Sequence, residues 1–321
     1  MPITDDTPFK IEVLRASGEP APGVEVVCIR PFYPAVLADR TIKGGDERQH
    51  TDSKGRFLLS PPFTGLMLVI ATDKDFSMAF GQDLVGGQKM VMQPWADVEG
   101  VWKNQGRPQS GRLIRLVCRN REFRELFQIR AESVSNLDGR FVFKNAPPTA
   151  VLLEDRLTHP AGVWHTLKRL TPEPGSRDFV EIATRGRTVI GQLSPVSALK
   201  VDFADCDGWL RPDVEWWKER KIPAPPKELN TPSKREKWRY EYYQTNDGRE
   251  YLDARDKVRP LEIQANGSFI AELVAPGQYT LEGKLAENGE VVAALEKMSF
   301  TVPDEDREPL PIGKVDLCPA I

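Results

Sequence analysis

Side chains able to do chemistry are few in this chain, and their spacing argues against most of the chemistry they could do. The three histidines, His50, His159 and His165, have no glutamate at the neighbouring positions that a zinc peptidase site needs, and they read as loop and strand residues. Ser194 lies in Gly191-Gln192-Leu193-Ser194-Pro195, which is not a Gly-x-Ser-x-Gly nucleophile elbow. The four cysteines, Cys28, Cys118, Cys206 and Cys318, are far apart and none has a histidine near it in sequence. Cys28 and Cys118 fall in apolar, strand-like runs and read as buried free thiols. Asp202, Asp205, Asp207 and Gly208 invite a calcium loop. Placing Asp205 and Asp207 at loop positions three and five puts Phe203 at position one and Val214 at position twelve, where ligands are required, so turn chemistry is the better reading. These patterns give no catalytic residue, no metal and no cofactor.

One stretch is rich in unusual side chains. Trp209, Trp216, Trp217, Trp238, Tyr240, Tyr242, Tyr243 and Tyr251 crowd into residues 205–260. Exposed aromatic faces stack on sugar rings or on peptides, which makes Trp216, Trp217, Trp238, Tyr242, Tyr243 and Tyr251 the candidate ligand-binding residues, for a glycan or a protein partner. Trp238 and Tyr242 are four apart and share a helix face, so the leading expectation is packing of an amphipathic helix onto the rest of the fold.

The elements that must position these groups follow from a repeat. Asp52-Ser53-Lys54-Gly55-Arg56-Phe57 returns as Asn136-Leu137-Asp138-Gly139-Arg140-Phe141 and, more loosely, as Gln264-Ala265-Asn266-Gly267-Ser268-Phe269. Glycine accepts the positive φ of a tight turn, and the aromatic two places on has entered the next strand. Before the first two copies stands a second shared turn, Gly18-x-Pro20-x-x-Gly23 and Gly106-x-Pro108-x-x-Gly111. The repeats divide the chain into 1–94, 95–187 and 188–321. In the first, Phe9 to Val13 alternates as a half-buried strand, and Leu66 to Ala71 is the continuous apolar run of a central strand. Val98 to Trp102 and Val189 to Leu193 open the other two, and Leu199 to Phe203 reads as a further strand. The third copy carries an insertion at about 205–260 that reads as helices. Thr231-Pro232 is a cap followed by proline at the first helical position, and Thr245 caps a second helix. A short helix around Pro212 to Arg220 is a further expectation, and Pro223 to Pro226 is an extended connector.

Composition agrees with a mainly β protein, since 27 prolines and 24 glycines favour short turns over long helices. No run approaches the length of a membrane span, and Met1 to Asp6 lacks the basic start and apolar core of a signal peptide. As written the chain stays in the cytoplasm, unless it is part of a longer exported protein. Net charge is −3, spread as −2, +5 and −6 over the three segments. The basic middle holds Arg112, Arg115, Arg119, Arg121, Arg124 and Arg130, read as a solvated strand face or a docking surface between domains; no nucleic-acid partner is expected.

Together the Gly18-x-Pro20-x-x-Gly23-Val24 turn, the Asp52-x-x-Gly55-x-Phe57 turn and their copies resemble the carboxypeptidase regulatory-like domains. These are prealbumin-like β-sandwiches related to transthyretin and to the B repeats of bacterial adhesins, and the order of domains is similar to multi-repeat proteins of planctomycete-type bacteria. The resemblance implies three tandem immunoglobulin-like sandwiches, the third with a helical insertion, in a non-enzymatic spacer or interaction protein. It also allows an exported or cell-surface origin, or an accessory segment of a larger enzyme. Adhesin modules of this type can carry a Lys–Asn isopeptide bond. Residues 1–94 contain no asparagine, and neither do the last strands of the later repeats, so that cross-link is not expected.

Overall fold

In the computed structural model the described residues are 8–30, 32–60, 65–84, 87, 89–118, 126–157, 164–195, 202–213, 223–287, 290–305 and 309–319. The chain is mainly β and forms tandem sandwiches. One arrangement occurs three times. The opening strand Phe9–Leu14 pairs antiparallel with the signature strand Arg56–Leu59 and parallel with Lys89–Val91. Ala96–Asn104 pairs in the same way with Arg140–Ala146 and Arg177–Thr184, and Arg187–Pro195 with Ser268–Val274 and Leu310–Pro319.

Each signature turn docks on its own opening strand. The N–H groups of Val13, Trp102 and Leu193 donate to the carbonyls of Gly55, Gly139 and Gly267 at 2.8, 2.9 and 2.8 Å. Those glycines have φ of +70°, +73° and +80°, and a Cβ on Gly139 would lie 2.3 Å from the Trp102 carbonyl oxygen. Glycine is thus required both by backbone conformation and by close approach. The Phe two places on is buried in every copy: Phe57, Phe141 and Phe269. The Gly18, Gly23, Gly106 and Gly111 turns also use positive φ, but nothing crowds them.

The first sandwich sets the sheet Arg56–Leu59, Phe9–Leu14, Lys89–Val91 against a five-stranded sheet ordered Gln93–Pro94, Asp75–Phe80, Met67–Ala71, Glu25–Ile29, Glu47–His50. The continuous apolar run at Leu66–Ala71 has a physical cause. Leu68 and Ile70 point into this sandwich's own core, while Met67 and Val69 belong to a second cluster that continues into the middle sandwich. Both faces of the strand are covered, so neither is polar. Phe76 joins the first and middle sandwiches, its ring centroid 5.1 Å from Trp95 and 6.4 Å from Phe127. The section around Thr41, featureless in sequence, is a hairpin of Ala35–Ala38 and Thr41–Gly44 whose turn residues Asp39 and Arg40 both have positive φ. Its strand Ala35–Ala38 pairs in parallel with Phe127–Ile129 of the middle sandwich.

In the third sandwich the strands form one nine-stranded sheet folded over a single core, with Glu290–Leu295 bridging its halves by pairing with both Gly277–Glu287 and Leu310–Pro319. Within 205–260, Cys206–Pro212 is a strand of this sheet, paired with Gly277–Glu287. Helix begins later, at Pro232–Tyr242 and Asn246–Lys257, with Thr231 and Thr245 accepting from Lys234 N–H and Gly248 N–H as N-caps. Phe203 lies in a short 3-10 turn rather than the end of a strand. Met1 to Thr7, Pro61-Pro62, Arg119, Arg121, Arg124, His159, Leu199 to Val201, Val214 to Arg220, and with them Trp216 and Trp217, lie outside the described residues.

Candidate functional site

The repeated polar residue of the signature turn spends its capacity on backbone. Asp52 Oδ1 accepts from Lys54 and Arg56 N–H at 2.8 and 2.9 Å, and these bonds hold its carboxyl below the usual range. Asn136 Oδ1 does the same for Asp138 and Arg140 at 3.0 and 2.8 Å. In the third copy the task moves to Asn266, whose Oδ1 accepts from Ser268 N–H at 2.9 Å. A hydroxyl just before the turn completes the device. Thr51 Oγ1 accepts from Val24 N–H and donates to the Ala21 carbonyl; Ser135 Oγ accepts from Arg112 N–H and donates to that of Gln109. Both hydroxyl residues are buried and staple the two repeated turns together.

On the insertion helices the candidate aromatics form a ladder. Trp238 and Tyr242 stack at 5.7 Å with planes 8° apart, Tyr242 and Tyr243 meet at 5.8 Å, and Tyr243 stacks on Tyr251 at 6.1 Å. Arg255 caps the series 5.7 Å over the Tyr251 ring. All four rings are half-buried, so each presents part of its surface to solvent and part to its neighbour. Trp209 stands apart, on the strand Cys206–Pro212 opposite Pro260 and Glu282.

A second constellation lies where the middle and third sandwiches meet, and the sequence showed only half of it. Asp155 is fully buried and binds Arg112 through both carboxylate oxygens, at 3.1 and 2.5 Å; Arg112 also reaches Glu272 of the third sandwich at 3.4 Å. Burial outweighs the arginine and pushes the Asp155 carboxyl up to about 6. Arg259, 4% exposed, donates from Nη2 to His165 Nε2 at 2.9 Å, from Nε to the Leu273 carbonyl at 2.9 Å, and from Nη1 to the carbonyls of Asp256 and Val258. An arginine is always a donor, so His165 accepts there and is neutral. Burial first, and the Arg259 charge next, hold its pKa well below the ordinary histidine value. Arg115 pairs with the buried Glu154 at 2.8 Å and lies 3.7 Å over Trp164. Arg112 and Arg115 therefore do not form a solvated basic face, because their strand Leu113–Cys118 and its approach run beside the carboxylates of Val151–Arg156. The docking expectation for this segment holds at Arg112. The sequence signal was present: Glu154 and Asp155 directly follow the apolar run Val151-Leu152-Leu153, and on a strand this buried the carboxylates need cations.

Between the first and middle sandwiches a cleft of ≈ 430 Å³ is lined by Leu37, Arg40, Ile129, Arg130, Val142 and Lys144 among others. Among the described residues no group of histidine, cysteine, aspartate and glutamate is placed to hold a metal ion.

No family model matches the chain, and no curated protein matches it in sequence. Among solved structures it is similar to the Bacillus anthracis TIE protein, at 10% identity and a TM-score of 0.27 over 98% of this chain and 50% of that one. It is also similar to a Streptococcal ancillary pilin, at 11% identity and 0.26 over 97% and 99%, and to BcpA, the major pilin subunit of Bacillus cereus, at 10% and 0.22 over 98% and 99%. The chain spans half the length of the Bacillus anthracis protein. Likenesses this distant assign neither family nor activity. None of them bears the narrower carboxypeptidase regulatory-like name or points to planctomycete-type proteins.

Proposed function

We propose that this chain is a non-enzymatic structural and interaction module of three prealbumin-like sandwiches, divided at 1–94, 95–187 and 188–321, serving as a spacer that presents or joins other protein parts. The observation that carries the reading is the threefold docking of a glycine turn on its opening strand. In it the recurrent polar residues, Asp52, Asn136, Thr51 and Ser135, are engaged with backbone groups. Recurrence here serves register, and a spacer needs register more than it needs reactive groups. The setting in this reading is an exported or surface protein; the cytoplasmic reading of the first residues gains no support from the fold. Among the described residues no helix is long and apolar enough to cross a membrane.

A second reading rests on the half-buried ladder Trp238, Tyr242, Tyr243 and Tyr251, as a surface for a glycan or peptide. Glycan and peptide arrays probed with the full chain and with a folded Trp238→Ala variant separate the two. The spacer reading expects no signal that depends on Trp238. A ligand bound by the wild type and lost in the variant overturns it in favour of the second reading.

A further inference from the structure

The helical insertion belongs to the third sandwich by sequence, yet it reaches both of the others. Arg169, on the strand Trp164–Leu170 of the middle sandwich, pairs with both carboxylate oxygens of Asp256 at 2.6 and 2.7 Å. Just past the same helix, Arg259 is buried against His165 of that strand, with its Nε and both Nη groups engaged. At the far end, the helix Pro232–Tyr242 lies beside the short helix Gly81–Leu84 of the first sandwich. The two insertion helices are joined tightly. A Cβ on Gly248 would come 2.0 Å from the Tyr242 carbonyl oxygen, and Tyr243, in contact with Tyr242, stacks on Tyr251 across the junction.

Helices of 11 and 12 residues, rich in charge, are marginal on their own and take their stability from what they touch. A buried arginine costs stability unless its donors are used, and at Arg259 the Nε and both Nη groups are. We propose that the insertion is an intramolecular strap: it is anchored on the middle sandwich through Arg169–Asp256 and Arg259–His165, and its far helix braces the first sandwich. The strap holds the three sandwiches at one fixed set of angles, and the aromatic ladder keeps its two helices moving as one piece. This deepens the structural reading above, and its test reads motion rather than ligand, so the two stand or fall separately.

Hydrogen exchange on the full chain tests the strap. Breaking the anchor by Arg169→Asp should lower amide protection about tenfold or more in Pro232–Tyr242 and, at a distance, in Gly81–Leu84. The signature strands Arg56–Leu59 and Ser268–Val274 should keep their protection. Adding Asp256→Arg, which restores the pair with reversed charges, should return protection at both distant helices. Arg169→Gln removes the charge without inserting an opposite one, and gives the same reading if the reversed chain fails to fold. Unchanged protection at Gly81–Leu84 in Arg169→Asp or Arg169→Gln, or no recovery in a folded reversed pair, overturns the proposal.

Discussion

Gly139 shows how much one residue can decide. Its φ of +73° excludes most side chains, and the Trp102 carbonyl already occupies the space a Cβ would take. Gly139→Val should therefore destabilise the protein by about 1–3 kcal/mol or more, read as a lowered urea midpoint at constant slope. Two titratable groups at the middle–third junction, His165 and Asp155, make a prediction about pH. His165 is held neutral with its pKa below the ordinary value of 6.5, so its contribution is whole above pH 6.5 and is lost as pH falls below it. Asp155 is raised from 3.8 to about 6, so the fold favours its protonated form; that contribution is whole below pH 3.8 and is lost as pH rises through about 6. Measured against His165→Gln, the wild type should lose stability as pH falls below 6.5. Measured against Asp155→Asn, it should gain between pH 6 and 4, each slope reaching at most about 1.4 kcal/mol per pH unit. Urea midpoints from pH 4 to 8 check both, and slopes of the same sign would contradict the assignment.

At the scale of elements, the turns were legible because their chemistry is local. Gly55, Gly139 and Gly267 announce positive φ, and Thr231-Pro232 and Thr245 announce helix starts, all within a few residues of sequence. The hydroxyl staple is not legible in the sequence, although Thr51 and Ser135 hold equivalent places, because its partners lie 23 to 30 residues away. Ser135→Ala leaves the Arg112 N–H and the Gln109 carbonyl without this partner and should cost about 1–3 kcal/mol, whereas Ser135→Thr should keep most of the stability. Thermal melts of the two variants separate lost hydrogen bonding from mere change of volume. The hairpin Ala35–Gly44 escaped because its turn is Asp39-Arg40, two non-glycine residues at φ of +48° and +62°, without the Asn-Gly or Asp-Gly signature. The insertion is narrower than its composition suggests, for a related reason. Asp205 to Pro212 differs in composition from the other strands, yet its alternating burial places Cys206, Gly208, Leu210 and Pro212 inward. The candidate ladder was legible in part, since a four-residue spacing reveals Trp238 against Tyr242 but cannot reveal that Tyr243 crosses to Tyr251 on another helix.

For the whole molecule, the repeats gave the number of sandwiches but not how they are joined. Val98, Trp102, Phe127 and Phe141 of the middle sandwich share one apolar cluster with Val27, Met67, Val69 and Phe76 of the first. Phe127→Ala should cost about 3–5 kcal/mol and lower exchange protection in Met67–Ala71 and Val151–Arg156 together. Loss confined to the middle sandwich would show that the shared cluster does not couple them. The same cluster bears on how the chain is made. Met67 and Val69 leave a ribosome well before Phe127, so until the middle sandwich's share of the cluster has emerged only the first sandwich's own residues, Ala35, Leu37 and Ile42 among them, are there to cover this face. A fragment stopped short of residue 126 should be prone to aggregate even though its own inner core is complete.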